Sequence, residues 1–517
     1  MIEHVRIAAS RQVGLPGLHG KGTLKRRHPL RLPRNLMLRQ RWISAGFALA
    51  LPFAAVGASF HVAPSGSDAN RGSVSRPWRT IAYGVSQLRG GDTLNIAPGR
   101  YDAVFEIPSR ASGSSWSSPT TIRGTNVIVD WHTGVYQHNV VECKAHYVVI
   151  SGITVDMINY PTSLLYPSCF VMSGSEAHHV RLTNCAFLSA PRGMGVLIAS
   201  SAGGYHEILS CVSSNHGWAF VGTSGGDTFY HPIYIETANN LVDGCTLGPP
   251  GIGARNHLDE AKNSGLQIFE GTSLTNNTVR NCTIRGPSRV GFTVTGDPGG
   301  PVGVGGYNKF YNNTVSDVTY FVLGAYYSPS NSFYNNTVYN ASYGVWINEG
   351  THGDCGYNNI VNNIFVNVTN TVFGLANNST SYLTNNLLYN CGTAFHPGSR
   401  YSEIGTLPED PRFENPANGD FRLKEASPAR NAGIDLSSIF SADKAGNPRP
   451  SGAWDVGAYQ FVAPPPTNPL PGNALGISVD PQRTAPEKAS IRSIPVLLSE
   501  SGSSSANLPF TVRSSNR

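Results

Sequence analysis

"KFYNNTVS" (residues 309–316) decides the fold, because the same pattern returns as "SFYNNTVY" (332–339), "NIVNNIFV" (359–366) and "YLTNNLLY" (382–389). Five earlier runs fit the same frame: "VVISGITV" (148–155), "VRLTNCAF" (180–187), "EILSCVSS" (207–214), "NLVDGCTL" (240–247) and "NTVRNCTI" (277–284). The residues aligned at the bend are Gly152, Cys185, Cys211, Cys245, Cys282, Asn313, Asn336, Asn363 and Asn386, at separations of 23 to 37 residues. Repeats of this length mark solenoids, and short strands joined by bends, without a helical pattern, predict a parallel β-helix.

The bend residues predict a stacked ladder inside the solenoid. Coils stack at roughly 4.8 Å, so each bend residue lies on that of the next coil. Asparagine there can bond the turn backbone and its stacked neighbours, and cysteine can fill the same position as a small buried side chain. We therefore expect the four ladder cysteines to be structural. Cys143, Cys169, Cys355 and Cys391 could form disulfides in an oxidising compartment, with their connectivity left open.

The composition suits an all-β, turn-rich secreted protein. Charged residues make up only 14% of the 517 residues, with 56 Gly and 35 Pro. Of the 38 Lys and Arg and the 32 Asp and Glu, ten and one lie in residues 1–58, so the rest of the chain carries 28 basic and 31 acidic residues. This mildly acidic body gives no reason to expect a nucleic-acid partner.

Residues 1–58 have the features of a leader. "MLRQRW" begins at Met37, the apolar run "ISAGFALALPFAAVGA" follows, and Val56 and Ala58 stand at the positions before a signal-peptide cut. We expect cleavage after Ala58, no membrane span afterwards, and Met37 rather than Met1 as the true start. An uncleaved anchor is the alternative, but Pro52 interrupts the run, which is short for a span of about 20 residues.

Residues 60–101 suggest how the solenoid begins. In "PWRTIAYGVSQL" (77–88), Trp78, Ile81, Ala82, Val85 and Leu88 share one helical face, which predicts an amphipathic helix covering the open end of the solenoid. The order "VAPSGSDANRG" (62–72), "PWRTI" (77–81), "GDTLNIAPGRY" (91–101) resembles the entry segment of secreted right-handed parallel β-helix proteins of the pectate-lyase-like superfamily. The resemblance implies a single right-handed parallel β-helix and an extracellular setting, and it does not specify a reaction.

A second resemblance closes the solenoid. "GDFRL" (419–423), "SPARNAG" (427–433) and "DVGAYQF" (455–461) resemble the closing module of bacterial surface β-helix proteins. The expected organisation is a leader (1–58), a cap with the first coils (59–125), a β-helix (126–400), a closing module (401–461) and a Pro/Ser-rich disordered tail (462–517). We expect a monomer at the surface of, or secreted by, a bacterium.

One outer face of the solenoid is the candidate site. Alternation along the third strand of each coil points its aliphatic residues inward and the intervening residues outward. The outward set contains Tyr234, Glu236, Gln267, Phe269, Thr293, Thr295, Trp346 and Asn348. Exposed aromatic rings beside carboxylates and amides could stack and bind sugar rings. Gln267, Phe269, Glu236, Glu270 and Trp346 are the predicted substrate-binding residues, and a solvated face with incidental aromatics is the alternative.

The longest inserts, 222–231 and 248–264, flank this face, and the second is the densest cluster of ionisable groups in the solenoid. Uronan lyases on this fold remove a proton next to a carboxylate, so they need a cationic neutraliser and a base. By that resemblance Arg255 would neutralise the carboxylate, Lys262 or His257 would act as base, and Tyr234 or His231 would return a proton. His231 could instead only cap a turn, and the 255–262 cluster could be an ordinary charged loop.

Two other functions remain open at this stage. An inverting hydrolase needs carboxyl groups about 6.5 to 9.5 Å apart, which Glu236 and Glu270 on neighbouring coils could supply. A non-catalytic surface or glycan-binding protein is favoured by the absence of polygalacturonase, alginate-epimerase and pectate-lyase calcium motifs from the sequence. No cofactor is certain, and calcium could be held only by scattered carboxylates. We expect an extracellular protein acting on, or binding, an acidic polysaccharide, and most of all a lyase.

Overall fold

Thirty-one short strands, paired in parallel, wind into three faces of a β-helix. The structure, a computed structural model, describes residues 57–130, 139–162, 167–218, 231–249, 264–269, 273–296, 305–348 and 355–463, with two further strands near the C-terminus. Residues 1–56 of the predicted leader and the sites at Arg255, His257, Lys262 and Glu270 lie outside the described residues. In the described part, no helix is both long and apolar enough to cross a membrane.

The strands are β1 (Ser59–Val62), β2 (Thr93–Ile96), β3 (Gly99–Asp102), β4 (Phe105–Ile107), β5 (Thr120–Asp130), β6 (Asn139–Cys143), β7 (Val148–Asp156), β8 (Ser168–Met172), β9 (Val180–Thr183), β10 (Ala186–Leu188), β11 (Met194–Ile198), β12 (Glu207–Leu209), β13 (Val212–Ser214), β14 (Ile233–Ile235), β15 (Leu241–Asp243), β16 (Thr246–Leu247), β17 (Ser264–Ile268), β18 (Thr278–Arg280), β19 (Thr283–Ser288), β20 (Val290–Thr295), β21 (Lys309–Tyr311), β22 (Thr314–Tyr326), β23 (Ser332–Tyr334), β24 (Thr337–Asn348), β25 (Asn359–Val361), β26 (Ile364–Val368), β27 (Thr371–Gly374), β28 (Ser381–Thr384), β29 (Leu387–Tyr389), β30 (Thr393–Phe395), β31 (Tyr401–Ile404), β32 (Phe413–Asn415), β33 (Asp420–Leu423), β34 (Gly476–Ser478) and β35 (Leu497–Ser499). The helix is α1 (Ile81–Gln87), and short 3-10 turns occur at Ser109–Ala111 and Pro416–Asn418.

Strand register divides the solenoid into three sheets. Sheet A runs from β1 and β2 through β5, β7, β9, β12, β15, β18, β21, β23, β25 and β28 to β31. Sheet B runs from β3 through β5, β7, β10, β13, β16, β19, β22, β24 and β26 to β29. Sheet C runs from β4 through β6, β8, β11, β14, β17, β20, β22, β24 and β27 to β30. The long strands β5, β7, β22 and β24 each belong to two sheets, because they continue around a corner.

The predicted helix forms as α1. The Thr80 side chain caps its N-terminus by accepting the Tyr83 N–H at 3.2 Å, as a threonine N-cap should. Ile81 and Val85 are fully buried in the main core. The role of this helix as a cover for the open end stays a prediction.

The two asparagines of each pair have different roles at the corner between sheets A and B. The first of each pair (Asn312, Asn335, Asn362, Asn385) has a φ of 46° to 56°, in the left-handed region that asparagine tolerates. The second (Asn313, Asn336, Asn363, Asn386) is fully buried and forms the predicted ladder. Asn336 Oδ1 accepts the Asn313 N–H at 2.9 Å, and its Nδ2 donates to the Phe310 carbonyl at 2.9 Å. Each coil is thereby hydrogen-bonded to the next through side chains in the core.

The start of the ladder needs a correction. Thr154 pairs with Ala186, so Ile153, not Gly152, lies opposite Cys185. Gly152 instead has a φ of 69° and occupies the left-handed corner position of Asn184. A glycine fits there because the carbonyl oxygen of Gly124 would lie 2.1 Å from any added Cβ. The sequence alignment placed Gly152 at the ladder position. The glycine instead holds the corner position, which comes one residue before the ladder position.

The cysteines of the ladder are buried, as predicted. Cys185, Cys211, Cys245 and Cys282 are free thiols, each exposed by 3% or less. Cys245 Sγ donates to the Ile208 carbonyl at 3.3 Å, the same backbone group that an asparagine Nδ2 reaches in later coils. Outside the ladder, Cys143, Cys169 and Cys391 also carry free thiols, so the disulfides left open for these three do not form in the structure.

A second ladder occupies the corner between sheets C and A. It consists of His206, Asn240, Asn277, Asn308, Asn331 and Asn358, all nearly or fully buried. Asn277 Oδ1 accepts the Asn240 N–H at 2.9 Å, and Asn308 Oδ1 accepts the Asn277 N–H at 2.9 Å. The described part of the solenoid therefore has two internal amide ladders, of which the sequence analysis identified one.

The closing module folds back along the outside of sheets A and B. Strands β32 and β33 form an antiparallel pair, and their Phe413, Phe421 and Leu423 pack on outward residues of sheet B. Trp454, fully buried, packs with Tyr311 and Tyr334 of sheet A. The module is thus a part of the folded solenoid.

Corner asparagines bind this module. Asn335 Nδ2 donates to the carbonyls of Asp455 and Gly457 at 2.9 and 3.1 Å, and Asn362 Nδ2 donates to the Ile434 carbonyl at 2.9 Å. The first asparagine of each pair therefore faces outward and holds the module, whereas the second faces inward and holds the next coil.

Candidate functional site

Sheet C presents one continuous outward row, defined by strand register. It consists of Tyr234, Gln267, Thr293, Gly324, Trp346 and Gly374, which we call the central row. The flanking apolar residues are buried in the main core, so the predicted alternation is confirmed; they are Ile233, Ile235, Leu266, Ile268, Phe292, Val294, Val345 and Ile347. Their burial fixes the direction of the central row, because successive side chains of a strand point to opposite faces.

The first half of the central row is not the exposed platform that we expected. Tyr234 and Gln267 are each 1% exposed, and Thr293 is 4% exposed. The His231 ring stacks on Tyr234 with centroids 5.3 Å apart and planes 14° apart. Neighbouring groups therefore cover this part of the outer face. Strand alternation gives the direction of a side chain but not what packs over it.

His231 is fully buried and engages the next coil. Its Nδ1 accepts the Ser264 N–H at 3.3 Å, and Ser264 Oγ lies 2.7 Å from Thr293 Oγ1. These contacts link three consecutive coils at the start of β14, β17 and β20. They favour the structural role weighed for His231 and leave a proton-donor role as a proposal.

A hydrogen-bond chain beneath His231 fixes the entry to β14. Ser213 Oγ donates to the Pro232 carbonyl at 2.8 Å and lies 2.9 Å from His216 Nε2, while His216 Nδ1 accepts the Ala190 N–H at 3.3 Å. The His216 imidazole is fully buried, and burial lowers its pKa to about 3, so it stays neutral. Since the Ser213 proton is given to a carbonyl, this serine–histidine pair holds backbone and is no activated nucleophile. The sequence analysis did not find it.

Gly195 makes this chain possible. An added Cβ at Gly195 would lie 2.0 Å from Ser213 Oγ and 2.7 Å from His216 Nε2. The glycine lets the serine and histidine approach the backbone of β11.

Glu236 and Phe269, which follow β14 and β17, are half-buried. The Glu236 carboxylate accepts the Ser200 N–H at 2.6 Å, a charge-assisted bond that ties it to the turn after β11. The separation needed for an inverting hydrolase is not testable, because Glu270 lies outside the described residues.

The second half of the central row does carry an aromatic cluster. Trp346 is half-buried and stacks on Phe321, with centroids 5.4 Å apart and planes 21° apart. Tyr343 and His396 meet its edge at centroid distances of 5.6 and 5.2 Å. Rings held this way cannot rotate freely, so they offer a rigid surface to a ligand.

A cleft of about 230 Å³ opens beside this cluster. Its lining residues include Trp346, Asn348, Gly374, Asn377 and His396. Amide, imidazole and indole groups around an open cleft are the combination that binds hydroxyl-rich ligands. The prediction of Trp346 as a binding residue is compatible with this cleft, whereas Asn377 and His396 were not considered from the sequence because they lie beyond the last strand in which alternation was traced.

Gly374 gives the first testable prediction. An added Cβ there would lie 2.3 Å from Trp346 Cε3, so the indole has to shift in Gly374→Ala. We expect a blue or red displacement of tryptophan fluorescence and at least about a fivefold weaker glycan affinity, since small displacements of a ring remove stacking worth roughly 1 kcal/mol. Gly419→Asn, outside the cleft, is the control, because no atom lies within 4 Å of an added Cβ there and asparagine tolerates its left-handed backbone. Unchanged fluorescence and affinity in Gly374→Ala would show that the indole position does not matter.

The described residues do not supply a metal site. No group of three or more His, Cys, Asp or Glu side chains in the described ranges is arranged to hold an ion. The calcium ion considered from the sequence therefore finds no fitting ligand set in this part of the chain, and no chemical step is assigned to it.

Comparisons with known proteins agree with this geometry. A family described as right handed beta helix region matches residues 254–405. Pectate lyase Pel9A superposes with a TM-score of 0.51 and 14% identity, over 78% of this chain and 97% of that one. The complex of XylC with xylose gives a TM-score of 0.50 and 9% identity, over 78% of this chain and 98% of that one. The chain has the right-handed parallel β-helix fold. At these identities the structural likeness concerns the fold alone.

Two curated proteins match shorter stretches. The uncharacterized protein YwoF of Bacillus subtilis is 26% identical over 125 residues, which is 23% of this chain and 26% of that protein. The pectate lyase PEL9 of Emericella nidulans is 32% identical over 98 residues, which is 18% of this chain and 23% of that protein. The matching part of this chain spans about a quarter of the length of each of these two relatives.

Proposed function

We propose that this protein is an extracellular carbohydrate-active β-helix protein, and that it is a lyase acting on a uronate-containing polysaccharide. The observation that carries the proposal is the composition of the central row. The Trp346 cluster and its cleft lie on the same outward row as Tyr234 and Gln267, to which the chain returns directly from the insert holding Arg255 and Lys262. Our proposal is that a sugar-binding surface and the candidate base act on this one face of the solenoid.

The proposed chemistry is a β-elimination. A base removes the proton on the carbon next to the uronate carboxylate, the glycosidic oxygen departs, and a carbon–carbon double bond forms in the sugar. In our assignment Arg255 neutralises the carboxylate, Lys262 or His257 removes the proton, and Tyr234 or His231 protonates the departing oxygen. The short match to a pectate lyase supports this reaction class.

A non-catalytic glycan-binding protein is the second candidate. It is favoured by the burial of Tyr234 and by the bonds of His231 and Glu236 to backbone N–H groups, which hold these side chains in structural roles. The engaged carboxylate of Glu236 places a hydrolase third.

The test is the ultraviolet absorbance of an unsaturated uronide, measured with pectate, alginate and glucuronan, with and without calcium. We expect formation of the double bond to fall by about 10²-fold or more in Lys262→Ala and Arg255→Ala, the usual scale for loss of a general base or charge stabiliser. Arg285→Ala and Lys424→Ala, which remove exposed cations away from sheet C, are the matched controls. A flat trace with every polymer, and no new reducing ends, would refute the lyase and the hydrolase and leave the binding protein.

A further inference from the structure

The corner between sheets C and A differs from the other two corners in its backbone-strained residues. One row of residues at this corner has φ values between 48° and 65°: Tyr147, His179, Tyr205, Asn239, Asn276, Tyr307, Ser330 and Tyr357. Strand register places these residues in one row along the solenoid. Bulky residues are rare at positive φ, whereas asparagine adopts it readily.

The other corners provide an internal comparison. Between sheets A and B, the described positive-φ positions are Asn126, Gly152, Asn184, Ser210, Gly244, Asn281, Asn312, Asn335, Asn362 and Asn385. After the strands of sheet B, they include Ser189, Asn215, Asp317, Asn340, Asn367 and Asn390. Within these described sets no aromatic residue occurs. Tyrosine at the third corner therefore accepts backbone strain that the same turn avoids elsewhere, and such strain concentrates where a residue has a function.

Three of the four tyrosine rings in this row also point to solvent. Tyr205 is 54% exposed, Tyr307 61% and Tyr357 51%. They lie in a single file, and the five coil steps from Tyr205 to Tyr357 span about 24 Å at the spacing of stacked strands. We call these three residues the tyrosine edge. A narrow row of separate rings fits a long, thin ligand better than the broad face of a folded protein.

The groups beside the tyrosine edge indicate the chemistry of that ligand. Between Tyr205 and Tyr307, Asn276 Nδ2 donates to Asn239 Oδ1 at 2.8 Å, so amide groups fill the gap between the rings. Exposed rings alternating with amides are suited to sugar rings and their hydroxyl groups.

The charges beside the edge favour an acidic polymer. Two ion pairs lie beside the edge, Arg181–Glu207 at 2.6 Å and Arg280–Asp243 at 2.7 Å, and in each pair the two charges neutralise each other. Lys309, in contrast, has only an amide oxygen at 3.4 Å as a described partner. The cation left over along this edge attracts a negatively charged chain.

We propose that the tyrosine edge is a second glycan-binding surface, distinct from the outer face of sheet C, which takes a linear acidic polysaccharide. The edge holds the polymer along the solenoid, while chemistry or capture takes place on sheet C. Its ligand class follows from the rings, amides and Lys309, and it does not require the protein to be a lyase.

The test uses the turn's own alternative residue. Tyr205→Asn, Tyr307→Asn and Tyr357→Asn, combined in the intact protein, place at each site the residue that adopts the same backbone at Asn239 and Asn276. The fold should therefore be kept or slightly stabilised, as the thermal unfolding midpoint will report. Binding is measured by affinity electrophoresis in native gels containing polygalacturonate or alginate, with neutral dextran as the comparison polymer.

We expect the wild-type protein to be retarded by an acidic polymer, and the triple variant to bind it at least about tenfold more weakly, the scale of losing stacking on several rings. Tyr389→Asn, an exposed tyrosine on sheet B, is the control and should keep wild-type retardation. Equal retardation of triple variant and wild type would overturn the proposal, as would a wild type that no acidic polymer retards. Retardation that depends on the three rings in a protein forming no unsaturated product would support the edge while refuting the lyase.

Discussion

Replacing Asn336 by alanine is expected to lower the free energy of unfolding by about 4 kcal/mol. Asn336 is fully buried, and its side chain hydrogen-bonds the backbone of the preceding coil. In the variant, the Asn313 N–H loses its acceptor and the Phe310 carbonyl loses its donor, with both groups still buried. Each buried unsatisfied polar group costs about 1–3 kcal/mol, and the space left by the amide adds to this.

The measurement is equilibrium unfolding in urea followed by circular dichroism. Asn340→Gly is the matched control in the same coil: Asn340 Nδ2 donates to Asp317 Oδ1, its Oδ1 accepts from Asn367 Nδ2, and glycine keeps its φ of 57°. Water can replace both bonds at this outer side of the coil, so we expect a loss below about 1 kcal/mol. Asn336→Cys should fall between the two, because a thiol can donate to the carbonyl, as Cys245 does, but is a poor acceptor for the N–H. Equal losses in Asn336→Ala and Asn340→Gly would mean that the inner ladder adds nothing beyond an exposed amide row.

The inner ladder was predictable because one physical constraint acts on one sequence position. A side chain that must satisfy its neighbour's backbone every coil leaves a periodic residue type, and "NN" appears at the corner in four consecutive coils, from 312–313 to 385–386. The second ladder had an equally regular signal that was missed. His206, Asn240, Asn277, Asn308, Asn331 and Asn358 each stand five residues before the member of the first ladder in the same coil. They were overlooked because asparagine ahead of a strand also suits an ordinary turn.

The site was only partly predictable for a different reason. Alternation along β14 and β17 correctly set the direction of Tyr234 and Gln267, since that depends on local backbone geometry alone. Their burial depends also on what packs over the sheet, such as the His231 ring stacked on Tyr234, and strand alternation does not encode this. The cleft at Trp346 shows the same limit, because its far wall comes from His396 in a later coil.

The second large effect is expected at acid pH, where His206→Asn should make the protein more resistant to unfolding. His206 fills an asparagine position of the second ladder: its Nδ1 accepts the Val180 N–H at 3.3 Å, and its Nε2 lies 2.9 Å from the Gly203 carbonyl. Asn240 makes the same pair of contacts, because its Oδ1 accepts the His206 N–H and its Nδ2 donates to the carbonyl three residues earlier. The His206 imidazole therefore makes the hydrogen bonds that an asparagine amide makes at this position. Unlike an amide, it can take up a proton.

Burial lowers the pKa of His206 from 6.5 to about 3, because a charged imidazolium in the core would be desolvated and its Nδ1–H would face the Val180 N–H. The unfolded chain therefore takes up a proton at this group near pH 6.5, whereas the folded protein does so only near pH 3. The stability contributed by neutral His206 is complete above pH 6.5 and is lost progressively as the pH falls toward 3, by up to about 4 kcal/mol.

Thermal unfolding midpoints measured from pH 7 to pH 3.5 will check this. The wild-type midpoint should fall more steeply than that of His206→Asn, and the two proteins should differ little at pH 7, since asparagine reproduces the ladder contacts. His216, whose pKa burial also lowers to about 3, remains in both proteins and so does not contribute to the difference. Parallel pH profiles for the two proteins would contradict a neutral, buried His206, and would place the acid sensitivity of the solenoid elsewhere.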